Sequence, residues 1–364
     1  MTASSKHILF VNHTRALHGS ERVMLETLRS CRAQGWRVTV VLPKNKPDEG
    51  LAQALKNEAD LLYLNYKNAG EGFLRTMAIE LYNLPAIVRL TRWIRQHHVD
   101  LIYSNTSVNL LGIEAAHRTH TPHVWHWHEL PDRDFGWSTL ALRFLRCWSQ
   151  CSTQLLFISR TQQQLWESVF GMPQIPNAQV LYNPVRVIPA PTTPHSGSLR
   201  IGYVGSFSER KNIAWLIRTV TDLAQEHDVH LHLYGATSAL ENTSTMTVHP
   251  FTEDVATAYA NMDILVLPSW SETMPLVVLE AMQAGVCVIQ TANSGMTELM
   301  QDGQQCLFIH PEDPNSLRNA LIRCFDDDYR TPLAARGQQF AAQWLAQNNY
   351  ANNITAVFNS LLNT

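Results

Sequence analysis

Residues 269–285, SWSETMPLVVLEAMQAG, hold two carboxylates, Glu272 and Glu280, around the start of an apolar helical pattern. The run DILVLPS, which reads as a strand, directly precedes them. Pro275 suits the first helical position, where its missing N–H costs nothing, and Gly285 suits the stop. A helix over 275–284 is ~15 Å long. Its free N–H groups and positive dipole end face the carboxyl edge of that strand, where a diphosphate could bind. Carboxylates beside such a site repel phosphate unless each has another task. Accepting hydrogen bonds from vicinal hydroxyls of a sugar or a ribose is such a task. The plainer reading is an amphipathic helix with two solvated glutamates.

Three other groups could do chemistry. In GSFSERKN, 205–212, Arg210 and Lys211 stand side by side after the strand-like RIGYV, so both can leave one turn toward a single anion. A solvated basic turn is the alternative. In VWHWHEL, 124–130, a strand points His126 and His128 to one face. Same-face histidines suggest a metal, yet no third ligand is evident, and a hydrogen-bonded structural histidine is the other reading. Asp132-Arg133-Asp134 reads as turn chemistry rather than a metal site. In ALHGSERVMLETL, Gly19 marks a strand-to-helix turn.

The elements that must hold these groups repeat one pattern. HILFVN (7–12), the helical ERVMLETLRSCRAQG and WRVTVVLP (36–43) make a βαβ unit, hence a parallel sheet. The alternation continues through a helical stretch at 73–97, expected to break near Pro85, and through DLIYSN (100–105), PHVWHWH (122–128) and QVLYNPV (179–185). VIPAPTTPHSGS, 187–198, is rich in Pro, Ser and Thr and reads as a linker. LRIGYVGSF (199–207) then restarts the βα pattern. The expected organisation is an α/β chain with a Rossmann-like domain over 1–186, a linker over 187–198 and a second such domain over 199–340. A helical tail over 341–364 could pack back on the first domain. Ligands of open parallel sheets sit at the carboxyl ends of the strands, so a cleft between facing halves is the default active site.

Here the residues resemble a known family. E-x7-E after a strand ending in Pro-Ser is similar to the signature of the retaining family 4 (group 1) glycosyltransferases of the GT-B fold, which spans most of the chain, near 7–345. The resemblance implies that Glu272 contacts donor-sugar hydroxyls, Glu280 binds the ribose, and the N–H groups of Leu276 and Val277 hold the diphosphate. GSFSERKN is similar to the family's G-x-[LF]-x-x-x-K-G turn, with Gly205, Arg210 and Lys211 at matching positions, Ser206 where Arg is frequent and Asn212 where Gly stands. Gly19 matches the second glycine of a G-G-x-E-R loop, and His18 replaces the first. His128-Glu129 is similar to the family's H-[DE], where the histidine meets the donor sugar. The resemblance implies sugar transfer with retention from a nucleotide-diphosphate sugar to a glycan, lipid-linked or small-molecule acceptor. No metal and no cofactor beyond that co-substrate is implied, because Arg210 and Lys211 do the electrostatic work of a metal. A sugar-nucleotide epimerase or a non-catalytic sugar-nucleotide binder on the same fold stays open. A dinucleotide-dependent dehydrogenase is disfavoured, since no G-x-G-x-x-G follows a first strand.

Composition bounds the setting. Residues 1–185 carry 19 basic and 14 acidic side chains, against 9 and 17 in the remainder, so only the first half suits anionic partners. No feature points to nucleic acid. The six cysteines form no C-x-x-C pair, which fits free thiols in a reducing compartment. With no signal peptide or membrane span evident, a cytoplasmic protein is expected. Arg75, Arg89, Arg92 and Arg95 in 73–97, with Arg143 and Arg146 in 137–152, stand among Leu, Phe and Trp residues. They suit either anionic lipid headgroups or a solvated rim around core-facing helices.

Overall fold

The computed structural model describes residues 5–47, 50–68, 73–131, 139–189, 197–236 and 240–363. Asp132-Arg133-Asp134 and the middle of the expected linker, 190–196, lie outside them. The chain divides into two units, Met1–Pro184 with Asn349–Thr364, and Val185–Asn348.

In the first unit, apolar runs such as HILFV cannot alternate inward and outward, so they need cover on both sheet faces. The elements are β1 (His7–Val11), α1 (Gly19–Ala33), β2 (Arg37–Pro43), α2 (Leu51–Leu55), β3 (Asp60–Leu64), α3 (Phe73–Gln96), β4 (Leu101–Asn105), α4 (Leu111–Thr119), β5 (His123–Trp127), α5 (Thr139–Cys151), β6 (Gln154–Phe157), α6 (Arg160–Phe170) and β7 (Ala178–Val180). All pairings are parallel, in the order β3-β2-β1-β4-β5-β6-β7. Helix α3 runs unbroken through Pro85, where the sequence suggested a break. A proline inside a helix costs about 3 kcal/mol. Burial of Ala86, Ile87, Leu90 and Ile94 on one side of α3 offsets that cost. Asn83 adds a clamp, its amide exchanging hydrogen bonds of 2.9 Å with both backbone groups of Lys67.

The second unit repeats the plan. Its elements are β8 (Leu199–Val204), α7 (Ile213–Leu223), β9 (Val229–Ala236), β10 (Met246–Pro250), α8 (Val255–Ala260), β11 (Ile264–Leu267), α9 (Leu276–Gln283), β12 (Cys287–Thr291), β13 (Leu307–Ile309), α10 (Ser316–Phe325) and α11 (Asp327–Gln347). The order is β10-β9-β8-β11-β12-β13. Each sheet reverses its direction of growth once, between β1 and β4 and between β8 and β11. These are the switch points where ligands of such sheets bind. Ile188, early in the expected linker, is buried, and its N–H donates to Gln283 Oε1 at 3.0 Å, so this stretch is docked on α9. All six cysteines are free. Among the described residues, no helix is long and apolar enough to cross a membrane.

The tail forms α12 (Tyr350–Leu362), started by Asn349, whose side chain accepts from Asn352 N–H at 3.0 Å. It belongs to the first unit. Tyr350, Ile354, Val357 and Phe358 join the core beneath α1, and Tyr350 Oη meets Thr27 Oγ1 at 2.6 Å. The Phe358 ring lies 6.3 Å from Trp36 and 6.0 Å from Tyr103. Phe358→Ala is therefore expected to destabilise the first unit by about 3–5 kcal/mol. Urea unfolding followed by circular dichroism checks it, and an unchanged midpoint would deny the tail a structural role.

Candidate functional site

The second unit gathers charge at the carboxyl ends of β8 and β11. After β8 the chain turns through a 3-10 turn, Glu209–Lys211. After β11 it runs to Glu272, whose N–H donates to Asn293 O at 2.8 Å and whose C=O accepts from Gly295 N–H at 3.2 Å. The backbone on both sides of Glu272 is thereby fixed. Its carboxylate is buried. Lys211 Nζ donates to Oε1 at 2.6 Å, Arg210 Nη1 lies 3.3 Å from Oε2, and Ser269 Oγ donates to Oε1 at 2.5 Å. Arg210 also donates to Ser271 O at 2.7 Å. Burial alone would raise the Glu272 pKa, but Lys211 and Arg210 outweigh it and hold the carboxyl below its ordinary value. Glu272 thus stays ionised, between two cations.

Two glycines shape the floor. Gly205 has φ +155°, and a Cβ there would come 2.7 Å from Tyr203 Oη. Gly235, at the end of β9 with φ +106°, would press a Cβ to 2.3 Å from Gly205 O. Beside them α9 begins at Leu276, one residue later than the sequence suggested, because Pro275 is extended (ψ 106°) and serves as N-cap. Leu276 and Val277 are half-buried and carry the first N–H groups of the helix, which have no acceptor within it. Glu280, one turn further on, is 7% exposed and accepts from Tyr259 Oη at 2.8 Å.

The first unit presents a different edge. His128 follows β5, and its Nε2 lies 3.1 Å from Asn105 Oδ1. Asn105 Nδ2 is committed to Asn12 Oδ1 at 2.9 Å. Asn105 therefore offers its oxygen, which puts the proton on His128 Nε2 and leaves Nδ1 an acceptor. Burial, with His13 adding, pushes the His128 pKa down to about 3, so it is neutral at pH 7. Glu129 Oε2 accepts from the N–H and Oγ of Ser107, both at 2.9 Å, and from the His128 N–H at 3.1 Å. Glu21 is buried in the first turn of α1 and accepts from His18 N–H at 3.3 Å and Ser20 Oγ at 3.1 Å. Gly19 has an ordinary backbone conformation, and a Cβ there would meet nothing within 4 Å.

The structure thus joins Arg210, Lys211 and Glu272 in one network, with Gly205 after the same strand as the two cations and α9 following Glu272. Gly19 and His128 lie in the other unit. Sequence reasoning missed Ser269, Tyr259, Gly235 and Asn105. Two left a local signal: Ser269 ends the Pro-Ser strand of the motif, and YVG and LYG close β8 and β9 alike. His126 Nδ1 is bonded to Tyr103 Oη at 2.7 Å, and the His126 and His128 ring centres lie 4.3 Å apart. Among the described residues no three His, Cys, Asp or Glu side chains cluster as metal ligands.

Comparison with known proteins gives this arrangement a family. A model described as glycosyl transferases group 1 matches residues 198–327, and one described as glycosyltransferase family 4 matches residues 17–189. A D-inositol 3-phosphate glycosyltransferase of Corynebacterium urealyticum is 30% identical over 110 residues, 30% of this chain and 26% of that protein. An uncharacterized glycosyltransferase of Methanocaldococcus jannaschii is 24% identical over 181 residues, 46% of this chain and 47% of that protein. The match thus spans only about a quarter to a half of the length of these two relatives. HepE of Anabaena, solved in complex with UDP, superposes with a TM-score of 0.80 at 20% identity, over 97% of this chain and 100% of that one. Both matched domains and the shared architecture lead to one conclusion: the chain belongs to the group 1, family 4 glycosyltransferases of the GT-B fold.

Proposed function

We propose that this chain transfers a hexose from a nucleotide-diphosphate sugar to a glycan, lipid-linked or small-molecule acceptor, with retention and without a divalent metal. The observation that carries the reading is the convergence of Lys211 and Arg210 on Glu272, just before the N-terminus of α9. A diphosphate leaving group needs positive charge that is already in place. The two cations and the first N–H groups of α9, those of Leu276 and Val277, supply it. HepE has also been solved with UDP-glucose, which supports a nucleotide sugar as the co-substrate here. No further cofactor is part of the reading.

In this reaction the bond from the anomeric carbon to the phosphate oxygen breaks, and a bond from the acceptor oxygen to that carbon forms. The acceptor proton passes to the leaving phosphate. Glu272 accepts hydrogen bonds from sugar hydroxyls, Glu280 holds the ribose diol, and Gly205 lets backbone lie close to the phosphates; within the first unit, neutral His128 is an acceptor for a hydroxyl. The reaction belongs in the cytoplasm, where nucleotide sugar and free thiols are compatible.

Three outcomes test the reading. Glu280→Gln should weaken UDP-sugar binding by about 1–3 kcal/mol with the fold retained. Calorimetric affinity equal to wild type would remove Glu280 from the ribose site. Turnover should survive EDTA; complete loss, restored by manganese, would return a metal to the mechanism. Gly19→Ala should leave the melting temperature unchanged, since the chain has room for the methyl group, yet slow turnover by up to about 100-fold if ligand packs there. Unchanged turnover would make Gly19 a simple turn residue.

A further inference from the structure

Exposed apolar side chains are concentrated on α3. Leu74, Met77, Leu81, Leu84 and Val88 are 82, 39, 66, 42 and 43% exposed. Their alternating three- and four-residue steps keep them on one stripe of the helix, about 21 Å long. A neighbouring stripe that includes Ile87, Leu90 and Ile94 packs into the core. Helix α3 is therefore apolar on two faces, and the chain covers one of them.

Charge identifies what could cover the other. The helix carries Arg75, Arg89, Arg92 and Arg95 and a single acid, Glu80, which is buried. Arg75, Arg89 and Arg92 are exposed and make no ion pair among the described residues. Lys67 adds a fifth cation, its Nζ 4.6 Å from the centre of the half-exposed Tyr82 ring. The stripe is exposed and flanked by one sign of charge. A second copy meeting it about a two-fold axis would bring like charge against like charge, because such contacts are self-complementary. A surface of anionic lipid headgroups meets both demands: phosphates pair with the arginines, and the apolar side chains enter the acyl boundary.

We propose that this face of α3 is a docking surface for an anionic membrane. The second basic stretch of the sequence, in α5, does not take part. There Leu145 is buried, Leu142, Phe144 and Trp148 pack against the core, and Arg146 donates to Phe170 O at 2.7 Å.

Sedimentation of the full chain with vesicles tests the proposal. The chain should pellet with phosphatidylcholine vesicles containing phosphatidylglycerol, remain in solution with pure phosphatidylcholine, and be released as salt screens the headgroups over ~8–10 Å. Leu81→Asp/Leu84→Asp and Arg89→Glu/Arg92→Glu should each lower partitioning by about tenfold or more. These side chains are exposed, so melting temperatures should match wild type. A Leu81→Ala/Leu84→Ala variant provides the same test if the aspartates disturb folding. Equal recovery in solution with both vesicle types at low salt would overturn the proposal. So would vesicle binding indifferent to both substitution pairs, or a wild-type dimer that Leu81→Asp/Leu84→Asp dissociates.

Discussion

The contact of the buried Glu272 carboxylate with Lys211 and the partly exposed Arg210 is the constraint on which the second unit's site depends. It ties the turn after β8 to the loop after β11, two strands that are neighbours in the sheet. Losing either cation would leave the buried carboxylate less well compensated. The glutamate therefore holds two cations where they would otherwise repel each other. Ser269 Oγ and the backbone ties of Glu272 to Asn293 and Gly295 keep the carboxylate from following the lysine outward. The donors are thereby oriented in advance, which is what the proposed anion site requires.

The first unit solves a different problem at its own switch point. Its polar groups are kept neutral or tied down. Burial lowers the pKa of His128 to about 3 and of His13 to about 4, while it raises that of Glu21. A neutral histidine beside Asn105 has an acceptor nitrogen and no charge to attract phosphate. The division of charge across the sequence misleads here. The surplus cations of the first half lie partly on α3, whereas the cations assigned to the anion belong to the acidic second half.

What could be read from sequence was local. Arg210 and Lys211 are adjacent, and Glu272 and Glu280 share a strand-to-helix connection, so type and spacing disclosed them. The alternation of apolar runs gave most strands because doubly covered strands have no polar residues to blur the pattern. The groups that steady the site were out of reach. Tyr259 holds Glu280 across 21 residues and Asn105 meets Asn12 across 93, so only the folded sheet brings them together. Strand β10 was missed because Thr247 and His249 are half-buried edge residues without a clear period. The break expected at Pro85 failed for a related reason: tertiary burial of its neighbours outweighed a local penalty.

The departures from the family pattern can be judged on the same physical terms. Asn212 stands where a glycine is usual, at φ +51°, and asparagine is one of the few other residues that visit the left-handed region routinely. The turn's geometry is thus preserved, and Lys211 still points back to Glu272. His18 replaces the first glycine of the α1 loop, but its backbone is extended (φ −97°, ψ −167°), a conformation any residue adopts. Ser206 occupies the position where arginine is frequent. It is exposed, and its carbonyl accepts from Tyr203 Oη at 2.8 Å, which closes the Gly205 turn without help from its side chain. The charge missing there is present in Arg210, anchored on Ser271 O and Glu272. Each departure either meets the backbone requirement it inherits or falls where no such requirement exists. The altered sequence therefore keeps the turn, the cation pair and the carboxylate that holds it.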